Sequence, residues 1–500
     1  MQVARYFLLG LVATVGCGGS SSGSRLDKGA GTAAPVADAG GDSDSDSIGD
    51  DPALPTTADV SATVDLAHPE QTLVGFGAAV AFYVNWLSPR GGDGDDVYKV
   101  LFPDLGLDIL RIGNWYQNQG SNTSETSPLG DTDGLAVVQK ATAALGHAPI
   151  VLMSSWSPPA YLKSNNATRG TEGTLIQANG GYAYADFGDW WRRALEAYAA
   201  QGVHVDFVSI QNEPDYFNSG WESCDFDANE GGHAGYGPAL DAAYLAVSSS
   251  SVLTQKPQFI GPETSGIAGN RVENYMAGLN ASHLDVIAHH LYNGSDSATG
   301  PSADDPPPDS YRGFMGRVAG DVAAYNKPIF QTEYSPNEPS LLNTAWLIHD
   351  SLTIEKVSAY LYWALAWAPP QPDSVPTGLV TLSAPNASRS YTVNDTYYAV
   401  RHFSKWTDPG WVRIDASSSA SAVKVSAFVS PDGASLTVVL INTDQVPHGV
   451  ALSLGGFAFT TAAAYRSTAG SAERTAELAL GDGNVVAMPA TSIVTAVFSP

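Results

Sequence analysis

Between residues 73 and 363 a short apolar run recurs eight times, with polar loops and amphipathic stretches in between. The runs occupy residues 73–79, 109–113, 150–154, 207–211, 258–261, 286–289, 329–332 and 360–363. Each is the length of one buried strand. The segment 184–201 shows what lies between them: Phe187, Trp190, Trp191, Leu195 and Tyr198 fall at helical spacing. Eight strand–helix alternations in one chain predict an α/β fold, a closed parallel (β/α)8 TIM barrel.

The pattern changes after the last barrel helix, expected around residues 397–406 and ended by Pro409-Gly410. Residues 423–428, 436–441, 450–453, 462–465 and 493–498 read as short strands with no helix between them, and Pro431-Asp432-Gly433 reads as a hairpin turn. This predicts an appended antiparallel β-sandwich domain. The expected organisation is a signal segment at 1–17, a Gly/Ser/Asp linker at 18–57, the barrel at 58–407 and the sandwich at 408–500. A strand near 60–66 precedes the barrel, and its pairing with the C-terminal sheet is left open.

The N-terminus reads as an export signal. Arg5 precedes an apolar run at 6–15 that is too short to span a membrane, and Gly16-Cys17 follows. A cysteine at that junction resembles a bacterial lipoprotein signal, which implies lipidation of Cys17 and a cell-envelope or secreted protein. A membrane contact is expected only through that anchor. The formal net charge of −27 argues against nucleic acid as a partner, since phosphate binding needs a basic surface. Only two cysteines occur, so Cys224 would have no partner once Cys17 is lipidated, and it reads as packing.

Barrel enzymes work at the C-terminal ends of their strands. Arg111, Asn114, Trp115 and Tyr116 stand at the second strand end, and Ser155-Trp156-Ser157 at the third. Asn212-Glu213-Pro214 closes the fourth, Glu263 the fifth, and His289-His290-Leu291-Tyr292 the sixth. Glu333-Tyr334 closes the seventh, and Trp363 and Trp367 the eighth. Two glutamates on strands four and seven are the equipment for hydrolysing a glycosidic bond, one donating a proton and the other attacking or activating water. Trp and Tyr suit stacking on sugar rings. Glu263 reads as a supporting or loop charge. His289 and His290 are neighbours on a strand and point to opposite faces, so a metal reading is not favoured and no cofactor is expected. A monomer is expected.

The motifs Gly75-Phe76-Gly77-Ala78, Ser155-Trp156-Ser157-Pro158-Pro159, Gln211-Asn212-Glu213-Pro214 and Thr332-Glu333-Tyr334, with His402-Phe403-Ser404-Lys405-Trp406, occur in order. Over roughly residues 60–500 this resembles glycoside hydrolase family 30, among retaining (β/α)8 glycosidases, and most of all its bacterial glucuronoxylanase and xylanase branch. The resemblance implies that Glu213 is the acid/base and Glu333 the nucleophile. It implies that Asn212 binds the sugar 2-hydroxyl, that Trp156, Tyr292 and Trp363 line the reacting subsite, and that Arg111 supports the nucleophile. Trp115 and Tyr334 are added as substrate-side aromatics. Where glucuronoxylanases carry Arg-Gly-Tyr, this chain reads Thr396-Tyr397-Tyr398, with Arg389 further upstream. The expected activity is a retaining endo-β-1,4-xylanase on (glucurono)xylan. The alternatives are a β-1,6-glucanase or galactanase, a glucosylceramidase-like enzyme, and a non-catalytic glycan-binding surface protein.

Overall fold

The computed structural model describes residues 54–117, 134–178, 180–292, 308–336, 339–370, 376–385 and 389–500. The signal segment, Cys17 and most of the linker lie outside the described residues. Among those described, no helix is long and apolar enough to cross a membrane.

Eight parallel strands close a barrel. They are β2 (Gly75–Val80), β3 (Ile109–Gly113), β4 (Ile150–Ser154), β5 (Phe207–Ser209), β6 (Gln258–Thr264), β7 (Val286–His290), β8 (Ile329–Glu333) and β9 (Ala359–Tyr362), with β9 pairing back onto β2. All eight predicted strands are present, and the TIM barrel with its appended sheet domain is the observed fold. Helices such as Tyr184–Ala200, which buries Phe187, Trp190, Trp191, Leu195 and Tyr198, cover the outside.

Strand periodicity decides which side chains enter the barrel. Ile109, Leu152, Phe207, Ile260, Val286, Ala288, Phe330, Ala359 and Leu361 form one interior cluster. Their neighbours Leu110, Val151, Met153, Val208 and Ile287 pack outward against the helices. Side chains two residues on share a face. Arg111 and Ser154 therefore lie above Ile109 and Leu152, His290 above Ala288, and Trp363 above Leu361. A dry floor thus sits beneath a buried polar layer. Gly77 shows how tight the wall is: a Cβ there would stand 2.5 Å from the Ile109 carbonyl oxygen.

The second layer is a nine-stranded sheet. Its strands are β1 (Val60–Thr72), β10 (Val412–Ser418), β11 (Val423–Val429), β12 (Leu436–Asn442), β13 (His448–Ser453), β14 (Thr461–Thr468), β15 (Ala476–Leu478), β16 (Val485–Met488) and β17 (Ser492–Ser499). Their spatial order is β15-β14-β17-β12-β11-β10-β1-β13-β16. β1 pairs antiparallel with β10 and parallel with β13. The sheet is therefore antiparallel except at that one seam, because a strand from the other end of the chain is inserted there.

The run His402-Phe403-Ser404-Lys405-Trp406 docks the barrel onto this sheet. His402 hydrogen-bonds Thr495 and Ser467, and Trp406 stacks on Tyr465 with centroids 4.4 Å apart. The Thr495 hydroxyl gives its proton to the His402 carbonyl oxygen, so it accepts from His402 Nδ1–H, while Nε2 of the imidazole meets the Ser467 hydroxyl. Burial pushes the imidazole pKa down to about 3, and Arg401 adds to this. His349, on helix Leu341–Asp350, bonds Ser426 of the sheet and is likewise pushed down to about 3 by burial and by Lys424.

In the unfolded chain these imidazoles take up protons near pH 6.5; folded, they refuse them until about pH 3. Their contribution is complete above pH 6.5 and is lost as pH falls through that window. The melting temperature should drop between pH 7 and pH 4, and His402→Gln with His349→Gln should flatten the drop. Calorimetry across that range checks it; an unchanged slope in the double variant counts against interfacial protonation.

Candidate active site

The polar layer is organised around Arg111, which is fully buried. Its Nη1 donates to Glu333 Oε2 at 2.5 Å, Nη2 to Asn212 Oδ1 at 2.7 Å, and Nε to Ser154 Oγ at 3.1 Å. Nη2 also forms an ion pair with Glu263 Oε1 at 3.1 Å, and the guanidinium lies 4.6 Å from the Trp156 ring centroid. Asn212 spends its carbonyl on Arg111, which leaves its amide protons for a ligand.

Two irregularities aim the acids inward. The β6–β7 register shifts between Pro262 and Thr264, and the β7–β8 register shifts so that His290 sits opposite Glu333. A bulge of this kind re-aims the side chain it carries. Glu263 sits at φ 59° and Glu213 at φ 46°, the left-handed region that non-glycine residues seldom occupy. Glu213 N–H donates to the Glu263 carbonyl, and Asn212 N–H to the Ser155 carbonyl, tying the fourth strand end to its neighbours on both sides.

His290 bridges the carboxylates. Its Nδ1 lies 2.9 Å from Glu213 Oε1, and its Nε2 lies 3.7 Å from Glu263 and 4.0 Å from Glu333. Burial alone would lower this imidazole, but Glu333, Glu213 and Glu263 outweigh it and raise the pKa to about 9. Burial would likewise raise Glu263; Arg111 and His290 overcome it and hold the carboxyl at about 2. Glu213 moves the other way. Burial pushes it up, the His290 bond offsets part of the rise, and the charge on Glu333 adds to it. The Tyr292 hydroxyl donates to Glu333 Oε1 at 2.9 Å. One oxygen each of Glu213 and Glu333 and one His290 nitrogen lie within 4.8 Å of one another. That trio has the residue types of a metal site, but a protonated imidazole and a guanidinium already supply the positive charge.

Aromatic rings wall the mouth. Trp156 lies 5.7 Å from Trp363 and 5.8 Å from Trp115, and Phe82 touches all three. Trp115 is set behind Trp156, with its ring against Gly113, where a Cβ would come within 2.5 Å of the indole nitrogen. Tyr334 is buried, hydrogen-bonds Tyr311 and packs behind Tyr292. The structure thus gathers Glu213, Glu333, Asn212, Arg111, Trp156, Tyr292 and Trp363 at one end of the barrel. Trp115 and Tyr334 serve as their backing. Glu263 and His290, read from sequence as a supporting charge and an unresolved histidine, belong to the centre of the cluster. The inward phase of β7 could have selected His290; nothing local marks the bulge that turns Glu263. Phe82 was not singled out, although it follows the first barrel strand by two residues.

Thr396, Tyr397 and Tyr398 lie on the outer helix Asp395–Ser404. Tyr397 is buried with its hydroxyl on Asp104, and Arg389 is exposed. Cys224 is buried and its thiol is pushed up to about 12, which makes it unreactive.

Replacing Glu263 with Gln removes a negative charge beside His290. The His290 pKa should fall from about 9, read by NMR titration of the imidazole. An unmoved value would mean that Glu263 does not hold the proton there.

Comparison with known proteins agrees with this geometry. Residues 410–496 match the glycosyl hydrolase family 30 beta sandwich domain. The chain is 24% identical over 358 residues to the glucuronoxylanase XynC of Bacillus subtilis strain 168, covering 68% of each. It is also 24% identical over 427 residues to the endo-1,6-beta-D-glucanase neg1 of Aspergillus fumigatus, covering 75% of this chain and 79% of that one. The solved family 30 subfamily 8 xylanase Xyn30A of Clostridium acetobutylicum superposes with a TM-score of 0.66 at 24% identity, covering 88% of this chain and all of the other.

Proposed function

We propose that the chain, a glycosidase similar to the glycoside hydrolase family 30 enzymes, is an exported, retaining endo-β-glycosidase acting on β-1,4-xylan. The observation that carries the mechanism is the approach of the two carboxylates. Retaining glycosidases hold their two carboxyl groups about 5–5.5 Å apart, whereas inverting ones leave about 6.5–9.5 Å for a water. Oxygens of Glu213 and Glu333 within 4.8 Å of each other fit the first class.

The steps follow from the charges. Glu333, anchored by Arg111 and Tyr292, attacks the anomeric carbon as Glu213 gives its proton to the departing glycosidic oxygen. The sugar is then an ester of Glu333. Glu213, now a carboxylate, takes a proton from water, whose oxygen attacks the anomeric carbon and releases Glu333. Asn212 meets the 2-hydroxyl with its amide, and Trp156, Trp363 and Phe82 provide the apolar wall of the sugar site.

The xylan reading is favoured by the glucuronoxylanase and xylanase relatives. A glucuronate branch is not part of this reading, because Thr396-Tyr397-Tyr398 offers no arginine and the Tyr397 hydroxyl donates to Asp104. That same lack, with the endo-1,6-glucanase relative, makes β-1,6-glucan the second reading. Export rests on Arg5, the apolar run 6–15 and Gly16-Cys17.

Glu333→Gln should abolish hydrolysis with the fold intact. Glu213→Gln should cost about 100- to 10,000-fold on polysaccharide, yet spare glycosyl-enzyme formation from an aryl glycoside whose leaving group needs no proton. Equal losses on both substrates would remove Glu213 from the acid role. Product analysis on linear xylan, glucuronoxylan and β-1,6-glucan decides the substrate; turnover of β-1,6-glucan alone would replace xylan.

A further inference from the structure

Away from the catalytic cluster, the loops that follow β4 and β5 bring a second set of donors together. An oxygen of Glu172, an oxygen of Asp225 and a nitrogen of His233 all lie within 4.8 Å of one another. His233 Nε2 is 3.4 Å from Glu172 Oε1. Tetrahedral zinc with bonds of about 2.0–2.2 Å spaces its donors about 3.3–3.5 Å apart, so that pair already stands at coordinating distance. The other His233 nitrogen, Nδ1, is 3.1 Å from Asp227 Oδ1, and the His233 backbone N–H donates to Asp227 Oδ2. A metal-bound histidine almost always gives its second N–H to a carboxylate in this way, which fixes the ring and frees Nε2 for the ion.

A second, independent observation points to a ligand. Asp225 is only 6% exposed, and its Oδ2 has no hydrogen-bond partner. A buried carboxylate oxygen left bare is costly. The nearby cation does not resolve it, since the Lys163 ammonium is bonded to the carbonyls of Ser223 and Thr168. A doubly protonated His233 between Asp227 and Glu172 would satisfy the ring but leave Asp225 bare. A dication among the three would neutralise the Asp225 carboxylate as well.

We infer that Glu172, Asp225 and His233 bind one divalent transition-metal ion, of the zinc class, with Asp227 orienting the histidine. An imidazole with two carboxylates selects such an ion over calcium or magnesium, which prefer all-oxygen sites. The ion pins together the two loops that flank the catalytic face. Those loops already touch through Asp225 N–H to the Gly173 carbonyl and Ser223 N–H to the Thr168 carbonyl. Phe226 N–H donates to the carbonyl of Pro214, the residue after Glu213, so the pinned loop also braces the fourth strand end. The ion serves structure and not the reaction, since the catalytic cluster contributes none of its ligands.

The test uses the full chain prepared without a polyhistidine tag and stripped with a chelator. Titration with Zn2+ by calorimetry and native mass spectrometry should find one saturable equivalent, raise the melting temperature, and leave Ca2+ and Mg2+ unbound at the same concentrations. Co2+ should take the same place and show visible absorption with imidazole coordination. His233→Ala and Asp225→Asn should each abolish the equivalent, and Asp227→Asn should weaken it about 10- to 100-fold. Glu213→Gln should leave the stoichiometry unchanged, which separates this site from the catalytic one. Absence of a saturable equivalent in the wild-type protein overturns the inference whatever the variants do. So does Zn2+ binding that persists undiminished in folded His233→Ala and Asp225→Asn, or that Glu213→Gln removes.

Discussion

A guanidinium inside a barrel is the constraint from which the rest of the catalytic face follows. Arg111 enters because β3 alternates and Ile109 already faces in. Once buried, it must be paired. Removing the partner of a buried charge costs about 3–5 kcal/mol. The fold answers with Glu333 and Glu263 as counter-charges and with Asn212 and Ser154 as neutral acceptors. These come from strands three, four, five and seven, so the arginine links half of the barrel's rim. The left-handed backbone at Glu213 and Glu263 is strain of the kind a site keeps only when its surroundings over-determine it.

The sheet domain adds a second restraint. β1, from the N-terminal end of the described chain, lies between β10 and β13, so the barrel is stitched to the sheet from both of its ends. His402, Trp406 and His349 then fill the contact, and both imidazoles bond hydroxyls of the sheet where burial disfavours their charged form. The run His402-Phe403-Ser404-Lys405-Trp406 therefore works in domain docking, with no side chain in the catalytic cluster.

The barrel was legible in sequence because period-two and helical periodicity are local properties. So were Glu213 and Glu333, each following a β-branched run, and Arg111, whose phase on β3 can be counted from Ile109. The rest depended on distant partners. Glu263 sits on a bulge that exists only because β6 pairs with β7, and the parallel seam of β1 with β13 joins residues almost 400 positions apart. β15 and β16 escaped notice because they are only three and four residues long, and β10 because its apolar positions, Val412, Ile414 and Ala416, give way to a polar end at Ser417-Ser418. The loops after β4 and β5 carry no periodicity at all; their order comes from contacts such as Tyr184 with Glu230 and Asp225 with Gly173.

Counting charges explains how one glutamate can act as both acid and base. The buried cluster holds two cations, Arg111 and the raised His290, and three carboxyl groups. With Glu263 and Glu333 ionised, the cluster is neutral only when Glu213 keeps its proton. Ionising Glu213 would leave a net negative charge in a medium that resists it, which is the physical content of its raised pKa. In the proposed first step Glu333 gives up its charge to an ester bond. The same cluster would then be positive with Glu213 protonated and neutral with Glu213 ionised. The balance that holds the proton before the bond breaks thus releases it afterwards. No group has to move for this reversal, because Arg111 and His290 are fixed by the strands that carry them, and the chemistry itself changes the field at Glu213.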